Sequence, residues 1–418
     1  MGWKILIHYG EIGLKGKNQP EFRRKLKENI TRKLGAAGLQ WPVWEQRGYL
    51  WISVPDEDPQ RAQAFLPRLS EVFGISWYAL AREIPLSSSS VNDPGAALQT
   101  LEEETVRLAE KTHIPNQAFC VRARRSVKEF PVSSKKLEER LGALILEKTA
   151  WNRVNLSQPD RTFYVEINPD GIYLHADRLE GPRGLPVGVT GRVLALLSGG
   201  IDSPVAMYLA ARRGCEVDCI HFTATPLQMI EAPRYKVSRI VQHLSRYTLR
   251  SRLYLVPYTY FDVALLGKTV EYELVLFRRF MARVAERLAQ STGAQALVSG
   301  DNLAQVASQT LPNLVSTSRA AGMPILRPLL TYEKQEIVDL AKKIGTFELS
   351  IEPYKDCCAI ISRHPKTQSS HAQLERIEKE IFSDYEGMIQ QTLDEMKILE
   401  YENGELKLEE NLNTDPAG

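Results

Sequence analysis

The chain has 418 residues, 53 Lys+Arg against 51 Asp+Glu, 43% apolar and 25% charged residues. That composition excludes wholesale disorder, collagen-like repeats and coiled coil, and the length allows about three domains, each able to bury a core without metals or disulfides. No apolar run reaches the roughly 18 residues that span a bilayer, and the first residues lack a signal-peptide pattern, so no membrane contact is expected.

A strand is predicted over 3–9, followed by the basic, glycine-rich loop Gly10-Glu11-Ile12-Gly13-Leu14-Lys15-Gly16-Lys17-Asn18. Phe22, Leu26, Ile30 and Leu34 then recur at helical spacing with Gly38 as a stop, and the opposite face carries Arg23, Arg24, Lys27 and Lys33. A hairpin about Gly48 completes a small α+β unit, 1–62. The second segment, 63–178, mixes helices over 100–111 and 135–149 with strands over 119–124, 162–167 and 172–175. It gathers Arg122, Arg124, Arg125, Lys128, Lys135 and Lys136. Residues 87–90 read as a loop and 180–186 as a linker, from their Ser, Gly and Pro content.

The third segment, 179–395, changes character. A continuous apolar run over 193–197 suits a strand buried on both faces. Helix, strand and helix then alternate with short connections, as in an open, doubly wound parallel α/β sheet. Acidic residues crowd the end of the chain, and 396–418 reads as an acidic tail, frayed over its last residues.

The loop Ser198-Gly199-Gly200-Ile201-Asp202-Ser203 joins the first strand of this segment to a helix expected from Pro204. Its glycines allow close backbone approach, its serines supply donors, and the helix N-terminus favours an anion. This is a phosphate cradle, but not a Walker A loop, because no Gly-Lys-Ser/Thr follows. Asp202 suits a magnesium ion carried on phosphate oxygens, which takes one or two carboxylates. The plainer alternative is an ordinary βα turn; the whole string, placed between strand and helix, favours the cradle.

The five cysteines are Cys120, Cys215, Cys219, Cys357 and Cys358. An odd, sparse set predicts a reducing, cytoplasmic setting. Adjacent Cys357 and Cys358 are poorly placed to close a disulfide, and no second pair completes a zinc set. Cys120, Cys215 and Cys219 read as buried thiols.

The segment Leu197-Ser198-Gly199-Gly200-Ile201-Asp202-Ser203-Pro204-Val205-Ala206 resembles the PP-loop of the N-type ATP pyrophosphatases, and most of all that of the tRNA 4-thiouridine synthetases, the ThiI family. The loop from Gly10 to Asn18 is similar to the family's Gly-Glu-x-x-Leu-Lys-Gly-Lys-Asn. Ala307-Ser308-Gln309-Thr310, Arg327-Pro328-Leu329 and Ile344-Gly345-Thr346 match later motifs, and Asp356-Cys357-Cys358-Ala359-Ile360 is similar to the family's cysteine loop. The family often has Gly-Glu-Ser-Leu-Gly-Gln where this chain has Gly300-Asp301-Asn302-Leu303-Ala304-Gln305.

The resemblance implies a ferredoxin-like domain, a THUMP domain and a Rossmann-like PP-loop domain. It implies ATP and Mg2+, adenylation of O4 of uridine 8 of tRNA with loss of pyrophosphate, and replacement of the adenylate by a persulfide sulfur. Leu196 and Leu197 would lie beside adenine, and Ser198, Gly199, Gly200, Asp202 and Ser203 at the phosphates. His221, Phe222, Arg278, Gly300 and Gln309 would complete the nucleotide site. Cys358 would carry the persulfide, with Cys357 as the alternative, and Lys355, Arg363 and Lys366 would favour a thiolate. Lys15, Lys17, Arg23, Arg24, Arg122, Arg124 and Lys135 would track tRNA phosphates.

Many family members carry a C-terminal rhodanese domain that is not seen here, so the sulfur is expected directly from a cysteine desulfurase or from a low-molecular-weight sulfide, with the desulfurase favoured, and the family's role in thiamine thiazole synthesis is not expected. Many relatives form dimers, and a homodimer is one expected state. Amide-forming ATP pyrophosphatases share the loop but have no use for the Lys15-Gly16-Lys17 segment or the cysteine pair. An RNA-binding protein with an inactive α/β domain would not need an intact Ser198–Ser203 string.

Overall fold

The computed structural model describes residues 2–46, 48–55, 58–86, 95–127, 130–268, 272–354 and 366–411. The chain divides into two compact units, Met1–Gly184 and Leu185–Gly418. Cys357, Cys358, Lys355, Arg363, Lys128 and the 87–90 loop lie outside the described residues.

In the first unit, β1 (Gly2–Tyr9), α1 (Gln19–Ala36), β2 (Val43–Gln46), β3 (Tyr49–Val54), α2 (Pro59–Leu69) and β4 (Ile75–Ile84) form a ferredoxin-like βαββαβ half. Leu26, Ile30 and Leu34 fall on one face of α1 and pack against Ile5, Ile7, Leu50 and Ile52 of the sheet. Gly38, at φ +69°, closes the helix: its N–H donates to Gly35 O at 2.9 Å and that of Leu39 to Leu34 O at 3.0 Å. Two single-turn 3-10 helices, Glu11–Leu14 and Gly16–Asn18, occupy the basic loop.

Two expectations are corrected here. Lys33 is not on a solvated basic face; it is buried, with Nζ 2.6 Å from Glu71 Oε2, because the chain leaving α2 brings that carboxylate onto α1. The boundary at 62 does not hold either. Ala62, Phe65, Leu66 and Leu69 of α2 and Ile75 and Tyr78 of β4 fill the same first core, so this half runs through β4.

The second half adds α3 (Gly95–Thr112), β5 (Phe119–Arg125), α4 (Ser134–Lys148), β6 (Arg161–Asn168), β7 (Gly171–Ala176) and β8 (Leu179–Glu180). Its own core gathers Leu101, Leu141, Ile145, Trp151, Phe163 and Leu174. The two halves share one sheet, ordered β2-β3-β1-β4-β7-β6-β5. The common strand is β4, antiparallel to β1 along its length and to β7 over Arg82–Ile84.

The second unit contains β9 (Arg192–Leu196), α5 (Asp202–Arg212), β10 (Glu216–Thr223), α6 (Lys236–Thr248), β11 (Arg250–Pro257), α7 (Thr259–Leu265), α8 (Glu273–Thr292), β12 (Ala296–Ser299), α9 (Leu311–Ser318), β13 (Ile325–Leu326), α10 (Lys334–Lys343) and α11 (Phe347–Ile351). Helices His371–Ile381 and Tyr385–Asp394 and strands β14 (Lys397–Glu402) and β15 (Glu405–Asn411) follow. The sheet order is β13-β12-β9-β10-β11-β14-β15, and the first five strands are parallel.

From β9 the chain winds to one side through β10 and β11, then returns to the other side at β12. The carboxyl end of β9 is therefore a topological switch point, where open α/β sheets bind ligands. α5 begins at Asp202, two residues ahead of the expected Pro204. The stretch read as an acidic tail from 396 instead contributes two antiparallel strands through Asn411: β14 pairs with β11, and β15 with β14.

Candidate active site

The loop after β9 folds on its own hydroxyls. Ser198 N–H donates to Ser203 Oγ at 2.8 Å, the two Oγ atoms lie 2.9 Å apart, and Gly200 N–H reaches Ser198 Oγ at 3.3 Å. Ser203 is buried, and no side chain caps α5, so its amide groups face the loop as an anion site.

Across the switch point, Gly300 ends β12. A Cβ there would lie 2.7 Å from Ser203 N and 2.8 Å from Ser203 Cα, so only glycine permits this approach to the start of α5. Its neighbour Asp301 is buried and gathers both sides of the crevice. Arg278 of α8 hydrogen-bonds Oδ1, Arg327 Nε donates to Oδ2 at 3.0 Å, Ser299 Oγ donates to Oδ2 at 2.6 Å, and Gln309 Nε2 lies 3.5 Å away. Burial alone would raise the Asp301 carboxyl; Arg278, Ser299 and Arg327 override it and hold it at about 2. Arg278 is thus no solvated helix residue, and neither is fully buried Arg279, which pairs with Glu378 at 2.7 Å.

Asp202, at the first position of α5, accepts from Lys334 Nζ at 2.5 Å and from Gln305 Nε2 at 2.9 Å. Gln305 Oε1, Gln309 Oε1 and Arg327 Nη2 are buried without hydrogen-bond partners among the described residues. Unfilled donors and acceptors beside a phosphate cradle are what a polar ligand would complete. No group of three or more His, Cys, Asp or Glu side chains assembles among the described residues. The donor set therefore fits magnesium arriving on phosphate oxygens, with Asp202 as its carboxylate, rather than a cage built by the protein.

His221 is buried at the end of β10. Its Nδ1 lies 2.8 Å from Leu197 O, which can only accept, so Nδ1 carries a proton. Nε2 lies 2.6 Å from the Tyr354 hydroxyl and 3.2 Å from that of Tyr235. Leu197 and Phe222 are buried and Leu196 is half-buried, Phe222 belonging to the apolar core beneath the sheet. Cys120, Cys215 and Cys219 are buried, and burial pushes the Cys219 thiol well up.

The Ser198–Ser203 loop, Gly300, Arg278 and Gln309, which the family resemblance implies for the nucleotide site, lie at one edge of the sheet. Lys334, Gln305, Tyr235, Tyr354 and the pivotal placement of Asp301 were not anticipated. One signal was available: Lys334 opens α10, where the helix dipole disfavours a cation unless a nearby carboxylate compensates.

In the first unit, Lys17 and Lys135 are exposed, while Lys15 pairs with Glu11 at 2.9 Å, Arg23 with Glu45 at 2.7 Å and Arg24 with Glu28 at 2.8 Å. Arg122 donates to Leu156 O. Arg125 turns back to Phe130 O and Val132 O, an internal rather than an outward role. Exposed Arg124 lines a cavity of about 420 Å³ with His8, Tyr49, Ser126, Glu166 and Asn168.

Comparison with known proteins agrees along the chain. Residues 188–382 match the family model of the thiamine biosynthesis protein ThiI, 4–79 its ferredoxin-like domain and 95–177 the THUMP domain. A probable tRNA sulfurtransferase of Moorella thermoacetica is 37% identical over 90% of this chain and 93% of the relative. One of Coxiella burnetii is 36% identical over 96% and 99%. Among solved structures, a 4-thiouridine synthetase in complex with RNA and bound ATP superposes with a TM-score of 0.83 at 32% identity, covering 96% of this chain and 100% of that one. Protein PH1313 of Pyrococcus horikoshii shares the fold at a TM-score of 0.62 and 21% identity.

Proposed function

The chain belongs to the ThiI family, and from that premise we propose that it catalyses ATP-dependent transfer of sulfur to tRNA, forming 4-thiouridine at uridine 8. The observation that carries this reading is the cradle itself: a self-bonded Ser198–Ser203 loop at the switch point, closed by Gly300 and flanked by Asp202, Lys334, Arg278 and Arg327.

ATP is the second substrate. The free amides at the start of α5 and the Lys334 ammonium stabilise charge on its phosphates. Magnesium, when bound, neutralises phosphate charge and orients the leaving pyrophosphate. Uridine O4 attacks the α-phosphorus and the bond to pyrophosphate breaks. The terminal sulfur of a Cys358 persulfide, with Cys357 as the alternative carrier, attacks C4 and AMP leaves. A further thiol then cleaves the bond between the carrier and the transferred sulfur, which stays on the base. The persulfide comes from a cysteine desulfurase, and the reaction runs in the reducing cytoplasm, in keeping with the sparse cysteines. The first unit holds the RNA through its exposed basic residues and the cavity at Arg124, and a homodimer is part of the same proposal. No helix among the described residues is long and apolar enough to cross a membrane.

Asp202→Ala tests the cradle. Pyrophosphate release in the presence of tRNA should fall at least 100-fold, while tRNA affinity stays within about threefold, because only phosphate and metal contacts are lost. Normal pyrophosphate release from this variant would refute the assignment.

A further inference from the structure

Gln305 stands beside Asp202 with half of its amide in use. Nε2 donates to Asp202 Oδ2 at 2.9 Å, while Oε1 is buried without a hydrogen-bond partner among the described residues. A carboxylate can only accept, so Asp202 fixes which end of the amide is nitrogen, and the unfilled atom is an acceptor. Gln309 Oε1 and Arg327 Nη2 are unfilled as well, but their side chains reach Asp301 instead.

The turn that presents Gln305 is braced. Asn302 Nδ2 donates to Leu329 O at 3.0 Å and to Tyr332 O at 2.5 Å, the Leu303 N–H to Leu330 O at 3.1 Å, and the Ala304 N–H to Gln309 O at 3.0 Å. Ala304 is held at φ +62°, a left-handed conformation that alanine adopts only where its surroundings impose it, and strain of this kind gathers at functional sites. Close to Gln305 in the same turn, Leu303 is 42% and Val306 50% exposed. The turn therefore offers apolar surface around one acceptor that lacks a donor.

ATP does not bring that donor. Its phosphates present only acceptors at neutral pH, and its adenine cannot lie at Asp202 while the phosphates fill the start of α5. Uracil carries a single N–H, at N3, adjacent to the O4 that must attack. Cytosine has an acceptor at N3 and would set two lone pairs against each other. We propose that Gln305 is a specificity-determining residue for the target base: Oε1 accepts the N3–H of the uridine whose O4 is adenylated, with Leu303 and Val306 beside the ring. The inference rests on the proposed thiolation of uridine and deepens it. Attack by O4 leaves a neutral ring only when N3 sheds its proton, which the released pyrophosphate takes up, so an acceptor at N3 also weakens that N–H bond as the bond from O4 to phosphorus forms.

The test is a cycle on the full-length protein, with tRNA carrying uridine or 3-deazauridine at position 8 and pyrophosphate release followed in single turnover. The analogue keeps O4 and has C–H in place of N3–H. Its own reactivity is common to every enzyme tested, so the readout is the rate with uridine divided by the rate with the analogue, compared between enzymes. Gln305→Met should slow release with the uridine tRNA and lower that ratio about tenfold or more, because the variant has no acceptor for N3–H to lose. Gln305→Leu, of different shape, should do the same, and a collapse confined to one of the two counts against the acceptor. Disturbance of Asp202, or loss of a water carried on magnesium, would slow both tRNAs alike and leave the ratio at its parent value; that result overturns the proposal, as does a uridine rate that does not fall. A parent protein that releases no pyrophosphate with the uridine tRNA overturns the thiolation reading and this inference with it, whereas a parent that does so, with a ratio that survives in both variants, removes only the role of Gln305.

Discussion

Asp301 is almost inaccessible to solvent yet ionised, because Arg278 and Arg327 arrive from opposite walls of the crevice. Asp301→Asn would leave both guanidinium groups short of a counter-charge, which should cost about 3–5 kcal/mol in chemical unfolding. The carboxyl is depressed, so its stabilisation is present above its ordinary value and is lost only as pH falls towards about 2. The neutral range is insensitive to it.

His8 acts in the same direction but in a higher pH range. Its ring stacks on Trp77 at 3.9 Å and on Tyr49 at 5.3 Å, and burial lowers it to about 4, with Glu166 opposing the shift and Arg178, Arg124 and His175 reinforcing it. The unfolded chain therefore takes up a proton near pH 6.5 that the folded chain refuses. Stability should decline between pH 6.5 and 4 by up to about 3 kcal/mol from this group. His8→Phe keeps the stacking and should flatten that part of the curve in urea titrations at a series of pH values; an unchanged slope would show that other groups dominate.

At the scale of elements, β12 and α5 meet closely at Gly300, where the neighbouring atoms are backbone. Gly300→Ala would drive a methyl group into the backbone of Ser203, a contact no rotamer can relieve. Overpacking of this kind destabilises by about 1–3 kcal/mol, and displacement of α5 should abolish pyrophosphate release even where the protein remains folded. Tm and pyrophosphate assays on the same sample separate the two effects.

The parallel strands β9 to β12 are legible in the sequence because strands buried on both faces are continuous apolar runs. β14 is not. Its inward positions are Lys397, Leu399 and Tyr401, and the lysine is buried only because Glu409 and Ile230 O receive it, at 2.6 and 2.9 Å. Strand β15 is exposed at all seven positions, and its apolar alternation is confined to Leu406 and Leu408 within an acidic run. α2 misled for another reason. Its apolar stripe is plain, but periodicity does not say which core it joins. The cradle was readable because its residues are contiguous. Lys334 and Tyr354 were not, because they meet Asp202 and His221 across separations of 132 and 133 residues.

For the whole molecule, the proposed function assigns RNA binding and phosphate chemistry to different compact units. A fragment spanning 1–184 has two complete cores and should bind tRNA by itself. If three to five of its basic residues meet phosphates, affinity should fall by about tenfold or more between 50 and 200 mM salt in filter-binding assays. Salt-independent binding would rule out the phosphate-tracking role of Lys17, Arg24, Arg124 and Lys135.

β4 also determines how that unit bears load. Gly2 of β1 lies opposite Glu83, at one end of β4, while the chain at 181–183 is bonded to Ser76 and Ile75 at the other end. Tension between the two termini of the unit therefore runs along the strands and stresses the β1–β4 ladder in shear, so its rungs must yield together rather than unzip one by one. The arrangement makes the first unit mechanically stiff between its two ends, and the shared strand β4 ties its two halves into one sheet.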